Sequence, residues 1–296
     1  MDRMPEIVEY GSSPGIECVL LLGFFDGVHV GHRNLIAAAR ADAAGRGVPL
    51  GIMTFRNGKS GGQIYTFGER CAIFSSLGVD FVYAANYDEA FRTTEGEDFL
   101  RRVTDDLRVR AFFCGEDFTY GKGASCGVSD LRAFAAGRGV DVQALPLVGI
   151  RGEKAAATLA KKYLREGDIP RLNELLGAPY RIAGRVSTED RHVGRRIGFP
   201  TANIHLDPEK YPLRAGVYAV TVDLGGARYR GIANYGTRPT FGDARTVLEV
   251  YVDGYAGDLY GHELTVCFDG WIRGIRKFSS AEELSAQLQR DLEAIR

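Results

Sequence analysis

No stretch of this 296-residue chain approaches the roughly 20 consecutive apolar residues that a membrane-spanning helix needs. The opening residues Met1-Asp2-Arg3-Met4-Pro5-Glu6 lack the basic-then-apolar order of a secretory leader. A cytoplasmic location, away from membranes, is therefore expected. Net charge is nearly absent as well, with 37 Lys and Arg against 38 Asp and Glu leaving −1. No broad basic face for nucleic acid is expected, and any phosphate affinity must be local. Cysteine is sparse and unpatterned: Cys18, Cys71, Cys114, Cys126 and Cys267 are odd in number and show neither the paired spacing of a zinc site nor a disulfide framework. They read as structural thiols. There is no internal repeat, and the one biased stretch, Gly58 to Gly62, reads as a mobile loop. What remains is ordinary globular composition, 45% hydrophobic and 25% charged, at a length that suits two domains.

The two halves have different rhythms. From Ile16 to about Leu147, short apolar runs (Ile16 to Leu22, Val48 to Phe55, Phe81 to Ala84, Ala111 to Cys114, Val140 to Leu145) alternate with segments of helical period. That alternation predicts a mostly parallel sheet covered by helices on both faces, with ligands at the carboxyl ends of the strands. Glu153 to Arg165 and Pro170 to Leu176 read as two further helices, stopped by Gly177-Ala178-Pro179. The domain boundary is placed there, giving 1–178 and 179–296. Beyond it, strand-length segments follow (Tyr180 to Val186, Gly216 to Asp223, Arg228 to Tyr235, Val247 to Val252, Glu263 to Phe268), with Gly225-Gly226 as a hairpin turn. An antiparallel barrel or sandwich is predicted, closed by a helix that Ser279-Ser280-Ala281-Glu282 opens and that carries Leu284, Leu288, Leu292 and Ile295 at helical spacing.

Two segments carry candidate chemistry. In Gly23-Phe24-Phe25-Asp26-Gly27-Val28-His29-Val30-Gly31-His32, glycines permit a sharp turn and close backbone approach after a buried strand. The helix that follows offers free N–H groups to phosphate, and His29 and His32 can donate hydrogen bonds to a transferring phosphoryl group. In the second half, the basic run Gly194-Arg195-Arg196-Ile197-Gly198-Phe199 leads into Pro200-Thr201-Ala202-Asn203. If the chain is extended there, the Thr201 hydroxyl and Asn203 amide share one side and can give magnesium two oxygens, leaving water and nucleotide phosphates to complete the shell. A polar turn at a strand end accounts for the same spacing. Glu249 alternates against Leu248, Val250 and Val252, as either a general base or a solvent-facing glutamate. Trp271, Phe278 and Leu284 can form one wall of an apolar slot or simply pack.

The first segment resembles the HxGH signature of the nucleotidyltransferase superfamily, in the extended form GxFDGxHxGH of prokaryotic bifunctional riboflavin kinase/FAD synthetases. Cys114 to Gly123 is similar to that family's GEDFxFGxG run, and Gly194 to Asn203, Gly236 to Phe241, Leu248-Glu249-Val250 and Asp258 to Gly261 resemble its kinase module. The resemblance implies a Rossmann-like adenylyltransferase domain followed by a β-barrel kinase domain. It implies ATP and phosphate contacts from Gly23, Phe25, Asp26, Gly31, Gly115, Asp117, Gly194, Arg195, Arg196 and Gly198. It further implies flavin contacts from Phe118, Tyr260, Trp271 and Phe278, Mg2+ on Thr201 and Asn203, and Glu249 as the base that takes the ribityl proton. The substrates it implies are riboflavin, FMN and ATP. Three stretches depart from the family pattern. Arg56-Asn57-Gly58-Lys59 stands where a TFxPHP run is usual, Ala155 to Lys161 where SSTxIR is usual, and Ile275 where RPExKF has an acid. Loss of charge-assisted phosphate contacts costs about 2–4 kcal/mol each, so slow adenylyl transfer, a kinase-only enzyme, or a flavin sensor without turnover are the alternative readings.

Overall fold

The computed structural model describes residues 4–58, 61–188, 201–224, 226–237, 246–255 and 257–295. They form two compact units, divided between Leu159 and Ala160.

The first unit runs β1 (Glu6–Glu9), β2 (Ile16–Leu22), α1 (Val30–Arg46), β3 (Leu50–Phe55), α2 (Phe67–Ser76), β4 (Phe81–Ala85), α3 (Glu89–Arg92), α4 (Gly96–Asp106), β5 (Leu107–Gly115), α5 (Val128–Ala136), β6 (Asp141–Leu145) and the short pair β7 (Gly149–Ile150) and β8 (Glu153–Lys154). Six strands lie in the order β1-β4-β3-β2-β5-β6, all parallel. Cys18 to Leu22 and all of β3 are buried, as strands covered on both faces must be. Strand order reverses at β2, which pairs with both β3 and β5. A crevice opens at the carboxyl ends of such neighbours, and the fold places ligands there. Helix α2 starts with a capping box: Thr66 Oγ1 accepts from Glu69 N at 3.3 Å, and Glu69 Oε2 accepts from Thr66 N at 2.9 Å.

The second unit contains most of α6 (Ala157–Glu166), then α7 (Ile169–Leu176), β9 (Tyr180–Arg185), β10 (Thr201–His205), β11 (Gly216–Leu224), β12 (Ala227–Thr237), β13 (Thr246–Val252), β14 (Glu263–Arg273) and α8 (Ala281–Glu293). Its six strands pair antiparallel in the order β10-β13-β12-β11-β14-β9. The two ends of that sheet meet through a bridge between Val186 and Ile204 and through Ser187 N donating to Asn203 O at 2.7 Å. The sheet thus curls into a half-barrel whose end strands approach one another at this point. Val220, Val222, Leu248, Val250, Val266 and Phe268 fill one face. On the other face, Leu288 and Leu292 of α8, with Ile295 just beyond it, pack over Val217, Ile232 and Tyr251.

Two local expectations change. Glu153 and Lys154 do not begin a helix: Arg151 (φ 52°) and Gly152 (φ 82°) turn the chain back, so they pair with Gly149 and Ile150, and helix starts only at Ala157. α7 packs against β9 and β14, with Asn173 Nδ2 donating to Phe268 O at 2.9 Å, so it belongs to the second compact unit although the sequence boundary follows it. Leu224 pairs with Ala227 at the end of the β11–β12 ladder, where the spacing suggests a hairpin; Gly225 lies outside the described residues, as do Lys59 and Ser60 of the glycine-rich loop.

Candidate active sites

In the first unit the loop between β2 and α1 is wound tightly enough to put two non-glycine residues in the left-handed region, Phe25 at φ 55° and Val28 at φ 41°. For a β-branched valine this is a genuine outlier, and such strain persists only where surrounding packing enforces it. Phe25 and Val28 are 1% and 0% exposed. A Cβ on Gly23 would lie 2.8 Å from the Phe25 ring, and one on Gly31 would lie 3.2 Å from the His29 ring. A side chain at Gly23 would therefore force the Phe25 ring to shift, and one at Gly31 would crowd the His29 ring by a few tenths of an ångström. His29 is the N-cap of α1 without a side-chain capping bond, so it leaves the helix amino terminus open to an anion.

The two histidines stack, with ring centroids 3.7 Å apart and planes 18° from parallel. Both Nδ1 atoms are buried without a partner. Burial lowers the His29 imidazole to about 4, with Asp117 pulling it up and Lys154 pushing it down. His32 is held well below its ordinary value by burial and then by His29. Both are therefore neutral hydrogen-bond donors near pH 7, and each ring still carries one N–H. Asp117 follows the end of β5, where a Cβ on Gly115 would meet its Oδ1 at 2.9 Å. Lys154 Nζ lies 2.5 Å from Asp117 Oδ2. Asp26 is 6% exposed and its Oδ1 accepts from Ile64 N at 2.7 Å. Thus His29, His32, Gly31, Gly115 and Asp117 come together, while Asp26 braces the loop from inside.

Beside this cluster lies a cavity of about 350 Å³ lined by Gly23, Phe24, Phe55, Tyr87, Phe91, Asp117, Phe118 and Tyr120, among others. Phe24 stacks on Phe55 at 5.6 Å and Phe118 on Tyr120 at 5.6 Å. Aromatic walls with one carboxylate at the rim suit a flat ring system carrying polar edges.

In the second unit Thr201 and Asn203 do share one side of β10. Asn203 stands directly opposite Glu249, and Glu249 opposite Asn234, across three adjacent strands. Asn234 Nδ2 donates to Glu249 Oε2 at 3.2 Å, whereas Asn234 Oδ1 is buried without a partner. Leu248 and Val250 point into the barrel, both 0% exposed, leaving Glu249 half-buried on the opposite face. Thr201 and Tyr260 both line a smaller cavity of about 50 Å³, together with Val186 and Asp258. Trp271 stands apart from this row. It is opposite Tyr218 in the register, on the face shared with Ala233 and Val250, and Arg214 lies 4.5 Å over its ring. Phe278 instead sits near Arg273 and Arg276, at 5.8 and 5.6 Å from its ring. Gly194, Arg195, Arg196 and Gly198 lie outside the described residues.

Comparison with known proteins adds two domain matches in the same order as the two sites. Residues 13–159 match the FAD synthetase model and residues 176–296 the riboflavin kinase model. A bifunctional riboflavin kinase/FMN adenylyltransferase of Escherichia coli (strain K12) is 34% identical over 289 residues, covering 94% of this chain and 92% of its own. This chain belongs to the bifunctional riboflavin kinase/FMN adenylyltransferase family. The family member of Bacillus subtilis (strain 168) is 32% identical, with 94% and 92% of the two chains covered. A crystal structure titled macrolide-efflux protein, from Streptococcus pneumoniae, superposes with a TM-score of 0.85 at 26% identity over 98% of both chains. Among the described residues, no helix is long and apolar enough to cross a membrane.

Sequence reasoning missed Asn234, Lys154, Arg70 and the ion pair of Arg273 with Asp291, whose Nη2 and Oδ2 are 2.7 Å apart. For Asn234 a signal existed: an amide within a strand otherwise filled by Ile232, Ala233 and Tyr235. The other three are defined by partners distant in sequence.

Proposed function

We propose that this protein makes FMN and then FAD. In the first reaction the ribityl 5′-hydroxyl oxygen of riboflavin bonds to the γ-phosphorus of ATP, ADP leaves, and the hydroxyl proton passes to Glu249. In the second, a phosphate oxygen of FMN bonds to the α-phosphorus of another ATP and pyrophosphate leaves. The observation that carries this reading is that each compact unit holds one matched domain and, within it, one cluster suited to one of these transfers.

Phosphoryl transfer needs an aligned alcohol and neutralised charge more than covalent help. Asn234 holds one oxygen of Glu249 by a hydrogen bond, which orients the carboxylate as base. Magnesium fits the neutral oxygen donors on this face: the Thr201 hydroxyl and the Asn203 amide, the latter 2% exposed, beside the unpartnered Asn234 Oδ1. When bound there it neutralises charge on the ATP phosphates.

For adenylyl transfer, the stacked neutral imidazoles supply N–H donors at the start of α1, where the helix dipole also favours phosphate. The aromatic cavity takes the FMN ring, leaving its phosphate toward Asp117 and the histidines. Lys154, paired with Asp117, is a cation within this cluster. Incubation with riboflavin, ATP and magnesium, followed by chromatographic separation of flavins, should yield both FMN and FAD. FMN alone contradicts the adenylyl half, and unchanged riboflavin contradicts both.

A further inference from the structure

Arg70, on α2, is 0% exposed and heads the fully buried side chains by size. Burial lowers its guanidinium to about 10, with the Asp26 carboxylate opposing that effect. An arginine this deep is uncommon, and its partners explain its place. Nη1 donates to Phe24 O at 3.0 Å and to Thr54 Oγ1 at 2.7 Å, while Nη2 donates to Phe55 O at 2.6 Å and Gln63 Oε1 at 2.9 Å. Thr54 Oγ1 in turn donates to Phe24 O at 2.6 Å. One planar cation therefore ties the end of β2, the end of β3 and the segment entering α2, using the fixed fork that lysine lacks.

Those attachment points bear on the cavity. The Phe24 and Phe55 rings stack on one another and line it. The Phe24 carbonyl immediately precedes Phe25, where the strained turn toward His29 begins. Gln63 precedes Ile64, whose N–H is bound by Asp26 at 2.7 Å. The segment from Arg56 to Thr66 contains three glycines, Gly58, Gly61 and Gly62, and no proline. Asn57 pins its other end to Tyr87, accepting from Tyr87 N at 2.6 Å and donating to Tyr87 O at 3.3 Å.

We infer that Arg70 is a positioning residue for adenylyl transfer: from behind the cavity it fixes the two aromatic edges that receive the FMN ring and the loop that carries His29. This rests on the reading of that cavity as the FMN site. The residue touches no reacting atom, so its loss should act on FMN placement before ATP binding.

The test uses the full chain, with FMN binding followed by quenching of flavin fluorescence and FAD formation by steady-state kinetics. Arg70→Met should raise the FMN Kd and the KM for FMN by about 30-fold while changing the KM for ATP by less than about threefold. Arg70→Lys should recover only a small part of this, staying within about threefold of Arg70→Met, because it restores the charge without the fork. Riboflavin phosphorylation by the same samples should stay within about twofold, since it is assigned to the other unit. If Arg70→Met loses helical circular dichroism, Thr54→Val decides: removing one link should raise the FMN Kd by about tenfold. A folded Arg70→Met, or Thr54→Val in its place, with wild-type FMN Kd overturns the inference. Wild-type protein that binds FMN without making FAD overturns the reaction while the Kd still decides the role of Arg70, and wild-type protein that binds no FMN overturns both.

Discussion

The depressed imidazole of His29 makes a quantitative prediction. Its ring is 7% exposed, lies 3.7 Å from a second imidazole, and faces both Asp117 and Lys154. Burial dominates and holds it neutral down to about 4 instead of 6.5, a difference worth about 3 kcal/mol. Between those values the unfolded chain takes up a proton on His29 and the folded chain does not. Folding therefore weakens as pH falls through this window, and the full penalty is present below about 4. The chain has five histidines, and loss of one resonance in His29→Asn assigns its Cε1–H signal by NMR. That signal should stay at its neutral position from pH 8 to 5 and move with a midpoint near 4. In the same range, acid unfolding of the first unit should be less steep in His29→Asn than in wild type. A midpoint near 6.5 refutes the argument, because the site would then present an imidazolium at neutral pH and the donors would be cations.

Other outcomes follow from the same geometry. Glu249→Gln should lower riboflavin phosphorylation by about 10²- to 10⁴-fold with riboflavin affinity little changed, while FAD formation from added FMN stays near wild type; a small loss of turnover removes Glu249 as the base. Asp291 has a side chain 2% exposed and holds Arg273 by two oxygens. Asp291→Ala should cost about 3 kcal/mol of stability by leaving that guanidinium unpaired, read as a lowered melting temperature, and an unchanged melting temperature contradicts it. Ala156 and Ala157 are half-buried at the start of α6. Serines at both should raise FAD formation by about tenfold if hydroxyls reach the nucleotide phosphates, and no change means this departure does not limit adenylyl transfer.

Much of the fold was readable because burial leaves a compositional trace. Ile16 to Leu22 and Leu50 to Phe55 are near-continuous apolar runs, broken only by Glu17 and Thr54, and that is what a sheet covered on both faces requires. Glu6–Glu9 was not readable as a strand: it is four residues long, with glutamate at both ends, and is held by pairing with Phe81 to Ala84. The helical composition around Glu153 misled because Arg151, whose residue type gives no sign of it, joins Gly152 in the left-handed region and reverses the chain just before it. The HxGH loop was readable because Gly23 and Gly31 sit against the Phe25 and His29 rings, where a side chain would crowd them. Arg70 was not, since its meaning lies in carbonyls 15 and 46 residues away. Trp271 was expected to wall a slot beside the row of Asn203, Glu249 and Asn234, but register shifts in the pairing of β11 with β14 set it opposite Tyr218, and no sequence pattern marks a bulge there.

The central claim is that two halves of one chain act on different phosphorus atoms of ATP. Riboflavin given with ATP labelled at the γ-phosphorus, and separately at the α-phosphorus, tests it directly. The γ label should appear in FMN and persist in FAD, whereas the α label should appear in FAD and never in FMN. Absence of the γ label from FMN, or of the α label from every flavin, would contradict the account.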